Sequence, residues 1–214
     1  MKPAEIQRAP NSSKLLVRIA FIALFAALTG AGAFIAIPVG PVPIVLQNIF
    51  AVLAGVVLGP VMGGAAVGLY LLAGIIGLPV FAGGTGGIAR FAGPTGGFLI
   101  GYFLAALVAG LIAGKPFRNS SIRNSSKGRS ENSRLAAGLP RLITAVAAGL
   151  LVVYVPGVLW LKISGGLSWT RALLAGFVPF IIGDILKGGA AVLIAGRLRR
   201  AGADFLDTEG RQAR

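Results

Sequence analysis

The sequence lacks two residue types that carry much of enzyme chemistry: it contains no cysteine and no histidine. Without cysteine there is no disulfide framework and no thiol nucleophile. Without histidine there is no imidazole base, and the usual ligand set of a zinc site is missing. No pair of carboxylates takes their place. We therefore predict no enzyme activity, no catalytic residues, no metal site and no cofactor in this chain.

Charged residues are scarce as well, at 12% of 214 residues against about 25% in an ordinary soluble domain. Only 6 are acidic and 20 are basic, so the net charge is +14. Hydrophobic residues make up 56% of the chain, and the mean hydropathy is +0.86. A soluble fold of this size cannot bury so much apolar surface. The composition indicates a membrane protein whose basic residues lie on one side of the bilayer.

Apolar segments along the chain predict six membrane spans, because a spanning helix needs about 20 mostly apolar residues. We expect an all-α integral membrane protein with one membrane domain over residues 1–214. It is a bundle of six transmembrane helices, with a Gly-rich outer loop between helices 3 and 4 and a short surface helix, Thr170–Gly176, before the sixth. The polar tract 115–134 is expected to be a flexible cytoplasmic loop. The predicted spans are approximately 15–37, 44–58, 61–78, 98–113, 142–161 and 179–196.

The basic residues indicate the topology. Most of them precede span one, lie between spans four and five, or follow span six, so the positive-inside rule places both termini in the cytoplasm. Membrane topology explains this uneven distribution of the basic residues. We therefore expect the partner of the chain to be the lipid bilayer and not nucleic acid. An alternative is a signal peptide cleaved near Ala31–Ala33, but the apolar run continues to Ile37 and exceeds the usual h-region.

Asp184 is the only acidic residue within a predicted span, and Lys187 follows it by three positions on the same helix face. A charge at that depth costs about 2.5–3.5 kcal/mol on insertion scales, so it must face a cavity or a partner. Two interpretations stay open: an ion pair that only holds helices together, or part of a ligand site.

The Gly-rich outer loop is a second polar element. It contains Gly83, Gly84 and Thr85, and Arg90 is its one charged residue. Glycines leave backbone N–H groups free to donate, and an arginine binds a carboxylate through two parallel hydrogen bonds. The alternative is that the glycines merely allow a tight turn between helices.

Further polar side chains lie within the spans. Gln47 and Asn48 are costly against lipid, so they either line a site or hydrogen-bond between helices. Tyr154, like Tyr70 and Tyr102, either stacks on an apolar ligand or anchors at the membrane interface. Together these residues predict a pocket for a small ligand with a carboxylate at one end and a neutral hydrogen-bonding head at the other.

Span one carries three small residues at four-residue spacing, Ala23, Ala27 and Ala31. Such spacing lets helices approach closely, and most small-residue pairs in the chain are expected to serve packing within the bundle. This stripe extends over two turns, so it is also suited to a partner protein.

Four motifs in this order resemble the BioY family, the biotin-specific S components of energy-coupling factor (ECF) vitamin transporters. The resemblance covers nearly the whole chain, although the tract 115–134 is longer than we expect for the family. The motifs are Pro43–Gln47, Gly77–Gly84, Gly93–Gly97 and Gly183–Lys187.

This resemblance implies a multi-pass protein of the prokaryotic plasma membrane that captures biotin in an outward-facing pocket. It implies partners as well: a transmembrane T component and two ABC-type ATPases, which use the ATP. By motif, Asp184 and Lys187 become ligand-site residues, Arg90 the carboxylate partner and the loop around Gly83–Thr85 the closure of the pocket. The stripe of Ala23, Ala27 and Ala31 becomes the surface that meets the T component. The alternatives are an S component for another vitamin, or a membrane protein whose Asp184–Lys187 pair is structural and binds no ligand.

Overall fold

The computed structural model describes the backbone of residues 12–38, 41–114 and 131–212. It describes the burial and contacts of side chains within 15–38, 41–114 and 138–199. The structure is mostly helical, as predicted. A short 3₁₀ turn, Val178–Phe180, joins the last two helices. The helices are α1 (Ser12–Phe34), α2 (Gln47–Leu58), α3 (Pro60–Ile75), α4 (Ala89–Ala92), α5 (Gly96–Ala113), α6 (Glu131–Gly165), α7 (Trp169–Gly176) and α8 (Ile181–Gln212).

Helix α1 ends at Phe34, three residues before the predicted end of the first span. The chain then forms a two-residue strand, β1 (Ala36–Ile37), which pairs antiparallel with β2 (Ile44–Val45). Pro38 follows β1 directly and has no N–H to continue a helix. The hairpin therefore brings the start of α2 back beside the end of α1.

Helix α2 lies at the centre of the bundle and contacts α1, α3, α5, α6 and α8. Eleven of its 12 residues are buried. It ends at Gly59, whose φ of 85° favours glycine, and Pro60 immediately begins α3. This short connection turns the chain back so that α3 packs against α2.

The Gly-rich segment between α3 and α5 folds into a tight turn followed by the four-residue helix α4. The Phe81 amide donates to the Thr85 carbonyl at 2.8 Å and closes the turn. Gly83 and Gly84 occupy its tip with φ values of 76° and 68°, which a residue with a Cβ rarely adopts. The turn directs Phe81 inward, where its side chain is 2% exposed.

Helix α6 spans Glu131–Gly165 and contains Pro140 and Pro156. Most of the predicted cytoplasmic loop, 115–130, lies outside the described residues, and its last four positions already belong to α6. A helix is present where the short surface helix is predicted: α7 begins one residue earlier, at Trp169. The Ser168 hydroxyl caps α7 by accepting a hydrogen bond from the Arg171 amide.

Within the described residues, four helical stretches are long and apolar enough to cross a membrane: 15–34, 96–113, 138–165 and 169–199. Two shorter apolar helices, α2 and α3, coincide with the predicted second and third spans. Many large apolar side chains on the helices face outward, among them Leu151, Leu186 and Leu193. Such exposure is typical of surfaces that contact lipid.

Candidate ligand site

Asp184 lies in the first turn of α8 and is buried, with 7% of its surface exposed. Three donors from three helices surround its carboxylate. Asn48 of α2 donates its Nδ2 to Oδ1 at 2.9 Å, and the Lys187 ammonium lies 2.6 Å from the same oxygen. The Tyr154 hydroxyl of α6 donates to Oδ2. Because a carboxylate has about four lone-pair positions, Oδ2 retains capacity for one further donor.

The amide of Asn48 joins the two charged groups. Its Nδ2 binds Asp184, while its Oδ1 accepts from the Lys187 ammonium at 3.0 Å. Lys187 also donates to the Val45 carbonyl at 3.1 Å. Together with Asp184, these acceptors use all three N–H donors of the ammonium group. The amide therefore fixes both side chains, and a ligand carbonyl must replace one of these acceptors to bind Lys187.

Local sequence explains how these groups meet. Pro179 lies in the 3₁₀ turn, so α8 begins just before Asp184 and presents it in the first turn. Asn48 lies in the first turn of α2, directly after strand β2, which contributes the Val45 carbonyl. The hairpin thus places two partners of Lys187 side by side. Tyr154 is held by Phe177, whose ring meets it edge to face at a centroid distance of 4.8 Å.

These residues line one lobe of a cavity, which we call the acid lobe. Phe98, Tyr102 and Phe180 provide aromatic walls. The complete lining is Val42, Pro43, Val45, Asn48, Phe98, Tyr102, Val153, Tyr154, Phe180, Asp184 and Lys187.

A second lobe lies beside it, which we call the arginine lobe. Arg90 of α4 is its one charged lining residue. Among the described side chains Asp184 is paired with Lys187, and no carboxylate lies within ion-pair distance of Arg90. The complete lining is Val42, Pro43, Val45, Gln47, Phe81, Ala82, Arg90, Thr95, Phe98, Leu99 and Tyr102.

The two lobes adjoin, since five residues line both: Val42, Pro43, Val45, Phe98 and Tyr102. All five present apolar surface, and Tyr102 adds a hydroxyl. The arrangement is a cavity with a carboxylate and an ammonium group at one end, a guanidinium at the other and apolar walls between. It suits a ligand with a neutral donor–acceptor head, an apolar middle and an anionic end.

Gln47 reaches the arginine lobe from α2 and is 2% exposed. Its Oε1 accepts a hydrogen bond from the Tyr70 hydroxyl at 3.2 Å. The Gln47 amide also lies beside the Tyr102 hydroxyl, within hydrogen-bonding reach. The N–H₂ end of the amide therefore lies at the wall of the arginine lobe, which Tyr102 also lines.

The structure brings together five of the residues singled out in the sequence: Asp184, Lys187 and Tyr154 in the acid lobe, and Gln47 and Arg90 in the arginine lobe.

Gly83, Gly84 and Thr85 line neither lobe, although the neighbouring Ala82 does. The Thr85 hydroxyl donates to the Ala82 carbonyl at 3.0 Å, so it stabilises the turn. On α1, the stripe of Ala23, Ala27 and Ala31 is exposed.

Some lining residues have an ambiguous signal in the sequence, and others have none. The sequence allows Asn48 either to line a site or to hydrogen-bond between helices, and the structure shows both: it bonds to Asp184 and Lys187 while lining the acid lobe. Asn48 can be recognised in the sequence because it is a polar residue at the end of a predicted span. Phe98 and Phe180 carry no such signal, because an apolar side chain in an apolar helix reads the same whether it faces lipid or a ligand.

Comparison with known proteins shows which family this sequence matches. The profile of the BioY family matches residues 6–204. A probable biotin transporter BioY of Pyrococcus horikoshii is 40% identical over 181 residues, covering 85% of this chain and 95% of that protein. The biotin transporter BioY of Thermotoga maritima is 41% identical over 177 residues, covering 83% and 92%.

A solved structure gives the same result. The crystal structure of the S-component for biotin from an ECF-type ABC transporter superposes with a TM-score of 0.73 and 30% sequence identity. The match covers 90% of this chain and 95% of that one.

Proposed function

The chain belongs to the BioY family, and on that premise we propose that it binds biotin in the two-lobed cavity as the substrate-capture subunit of an ECF-type ABC importer. Proteins of closely similar sequence are described as biotin transporters, and one of similar fold as an S-component for biotin. The proposal assigns each end of the ligand to one lobe.

The ureido ring of biotin occupies the acid lobe in this proposal. It offers two N–H donors and one carbonyl acceptor, which match a carboxylate beside an ammonium group. One ring N–H donates to Oδ2 of Asp184, the carboxylate oxygen with remaining capacity. The ring carbonyl accepts from Lys187, replacing the Val45 carbonyl, which is the longest of that ammonium's contacts at 3.1 Å.

The valerate end occupies the arginine lobe. Its carboxylate binds the guanidinium of Arg90 and the N–H₂ group of Gln47. The bicyclic ring and the aliphatic chain lie along the surface shared by both lobes, against Phe98 and Tyr102. Gly83, Gly84 and Thr85 form the turn that closes over this end.

The observation that carries the proposal is the adjacency of the two lobes, which have five lining residues in common. An isolated Asp184–Lys187 pair would serve equally well as a structural contact. A pair that lines one lobe, next to a second lobe with a guanidinium and with apolar residues common to both, has the polarity of a ligand site.

As a transporter subunit, the protein acts with a transmembrane T component and two ABC-type ATPases, which use the ATP. It crosses the plasma membrane six times, with α2 and α3 completing the four longer spans and both termini in the cytoplasm. The 16-residue α3 and the 12-residue α2 are short for a bilayer, but their Gly59–Pro60 connection and the flanking segments extend them. The stripe of Ala23, Ala27 and Ala31 is the docking surface for the T component.

Equilibrium binding of labelled biotin to the purified protein tests the ligand assignment. Asp184→Asn should weaken binding about 10- to 100-fold, because a hydrogen bond to a charged group contributes about 1.5–3 kcal/mol. Asp207→Asn, the same change outside the predicted spans, is the matched control and should bind as the wild type does.

Unchanged affinity in Asp184→Asn would remove this residue from the site. Displacement of labelled biotin by thiamine or riboflavin at equal concentration would indicate an S component for a different vitamin. If no vitamin binds or raises the melting temperature, the Asp184–Lys187 pair is structural.

A further inference from the structure

We infer that Tyr70, which lines neither lobe, is a positioning residue that sets the orientation of the Gln47 amide and so the recognition of the ligand's anionic end. This inference rests on the proposed function and concerns the arginine lobe.

The position of the Tyr70 hydroxyl is fixed by packing on several sides. The residue is 2% exposed, and its ring meets Phe81 edge to face at a centroid distance of 5.6 Å. Phe81 in turn fills the space left by Gly74, where any Cβ would clash with the phenylalanine ring. On the other side of Tyr70, a Cβ at Gly30 of α1 would come within 3.8 Å of the tyrosine ring. From this fixed position the hydroxyl donates to Oε1 of Gln47 at 3.2 Å.

This hydrogen bond decides which end of the amide faces the cavity. A glutamine amide has an acceptor end and a donor end, and exchanging them requires only a half turn of the side chain. A tyrosine hydroxyl donating to Oε1 holds the acceptor away from the cavity and presents Nε2 to it. Nε2 then adds a donor to the lobe that contains Arg90, which suits an anionic ligand group.

Without the hydroxyl, Oε1 loses its donor and the amide can turn. A carboxylate in the lobe would then meet a carbonyl oxygen in some molecules, which repels it. The ureido end is unaffected, because the acid lobe receives its donors from Asn48, Tyr154 and Lys187. A purely structural role of Tyr70 would instead weaken every ligand alike.

The test compares two ligands in Tyr70→Phe: biotin, and a biotin analogue whose carboxylate is replaced by a methyl group. Biotin affinity should fall about tenfold, the equivalent of one hydrogen bond, while affinity for the methyl analogue stays as in the wild type. Thr29→Val is the matched control, since it also removes a buried hydroxyl, one that donates to the Phe25 carbonyl within α1. It should leave both affinities unchanged.

A double-mutant cycle with Gln47→Met gives a second readout. Once the amide is absent, adding Tyr70→Phe should cause no further loss of biotin affinity, since both changes remove the same contribution. Equal losses for the two ligands, or additive losses in the cycle, would overturn the role of Tyr70 and leave the biotin proposal intact. A wild-type protein that binds neither ligand would overturn both.

Discussion

At the scale of single residues, the carboxylate of Asp184 shows how a charge is accommodated within an apolar bundle. Its three partners, Asn48, Tyr154 and Lys187, come from α2, α6 and α8. Removing one partner of a buried pair leaves the other charge uncompensated, which costs more than removing both. Stability and binding can therefore be separated at this site.

Lys187→Met should lower the free energy of unfolding by about 3–5 kcal/mol, because it leaves the Asp184 carboxylate buried without its cation. The double variant Asp184→Asn with Lys187→Met should regain most of that loss but still fail to bind biotin. Thermal unfolding in detergent and labelled-biotin binding measure the two effects. A double variant as unstable as Lys187→Met would contradict this account of the pair.

At the scale of elements, glycine determines how closely helices α5 and α6 approach. A Cβ at Gly101 would lie 2.7 Å from the Val153 carbonyl oxygen and 3.0 Å from its Cα, both backbone atoms that cannot give way. Val153 and the adjacent Tyr154 line the acid lobe. The separation of these two helices therefore sets the position of a donor to Asp184.

Gly101→Ala should lower the melting temperature and also weaken biotin binding, because α6 must move away from α5. Overpacking of this kind costs about 1–3 kcal/mol. Gly189→Ala on α8 is the matched control: nothing lies within 4 Å of its added Cβ, and alanine favours a helix over glycine by about 1 kcal/mol. A loss as large in Gly189→Ala would show that packing against α6 is not the cause.

At the scale of the whole molecule, two surfaces serve two proposed tasks. The cavity is lined by the segment Val42–Val45, the turn after α3, the 3₁₀ turn and the helices α2, α4, α5, α6 and α8. The exposed alanine stripe lies on α1. Helix α1 contributes no residue to the lining of either lobe. Ligand binding and partner docking should therefore respond to different substitutions.

Ala27→Trp should leave biotin affinity of the isolated protein unchanged but prevent biotin uptake by cells that also supply the T component and the ATPases. A bulky ring on a smooth helix face prevents close approach of a second helix. Ala190→Trp, a change at an exposed alanine of α8, should support normal uptake. Normal uptake by Ala27→Trp would place the docking surface elsewhere.

Local chemistry was sufficient to predict a mostly helical chain with apolar, membrane-spanning helices, and to single out Asp184 as a charge within one of them. Hydropathy, proline and glycine act within a few residues of where they stand, and a lone acid in an apolar helix is conspicuous wherever that helix packs. The four-motif resemblance added the family, which the comparisons confirm.

Tertiary packing decided which neighbouring polar residues share a lobe. Gln47 and Asn48 are adjacent in sequence, but a helix turns by about 100° per residue, so one lines the arginine lobe and the other binds Asp184. Tyr102 and Tyr154 line the cavity, whereas Tyr70 lies outside the lining and donates a hydrogen bond to Gln47. No local pattern distinguishes these cases, because the environment of each side chain depends on which helix faces meet.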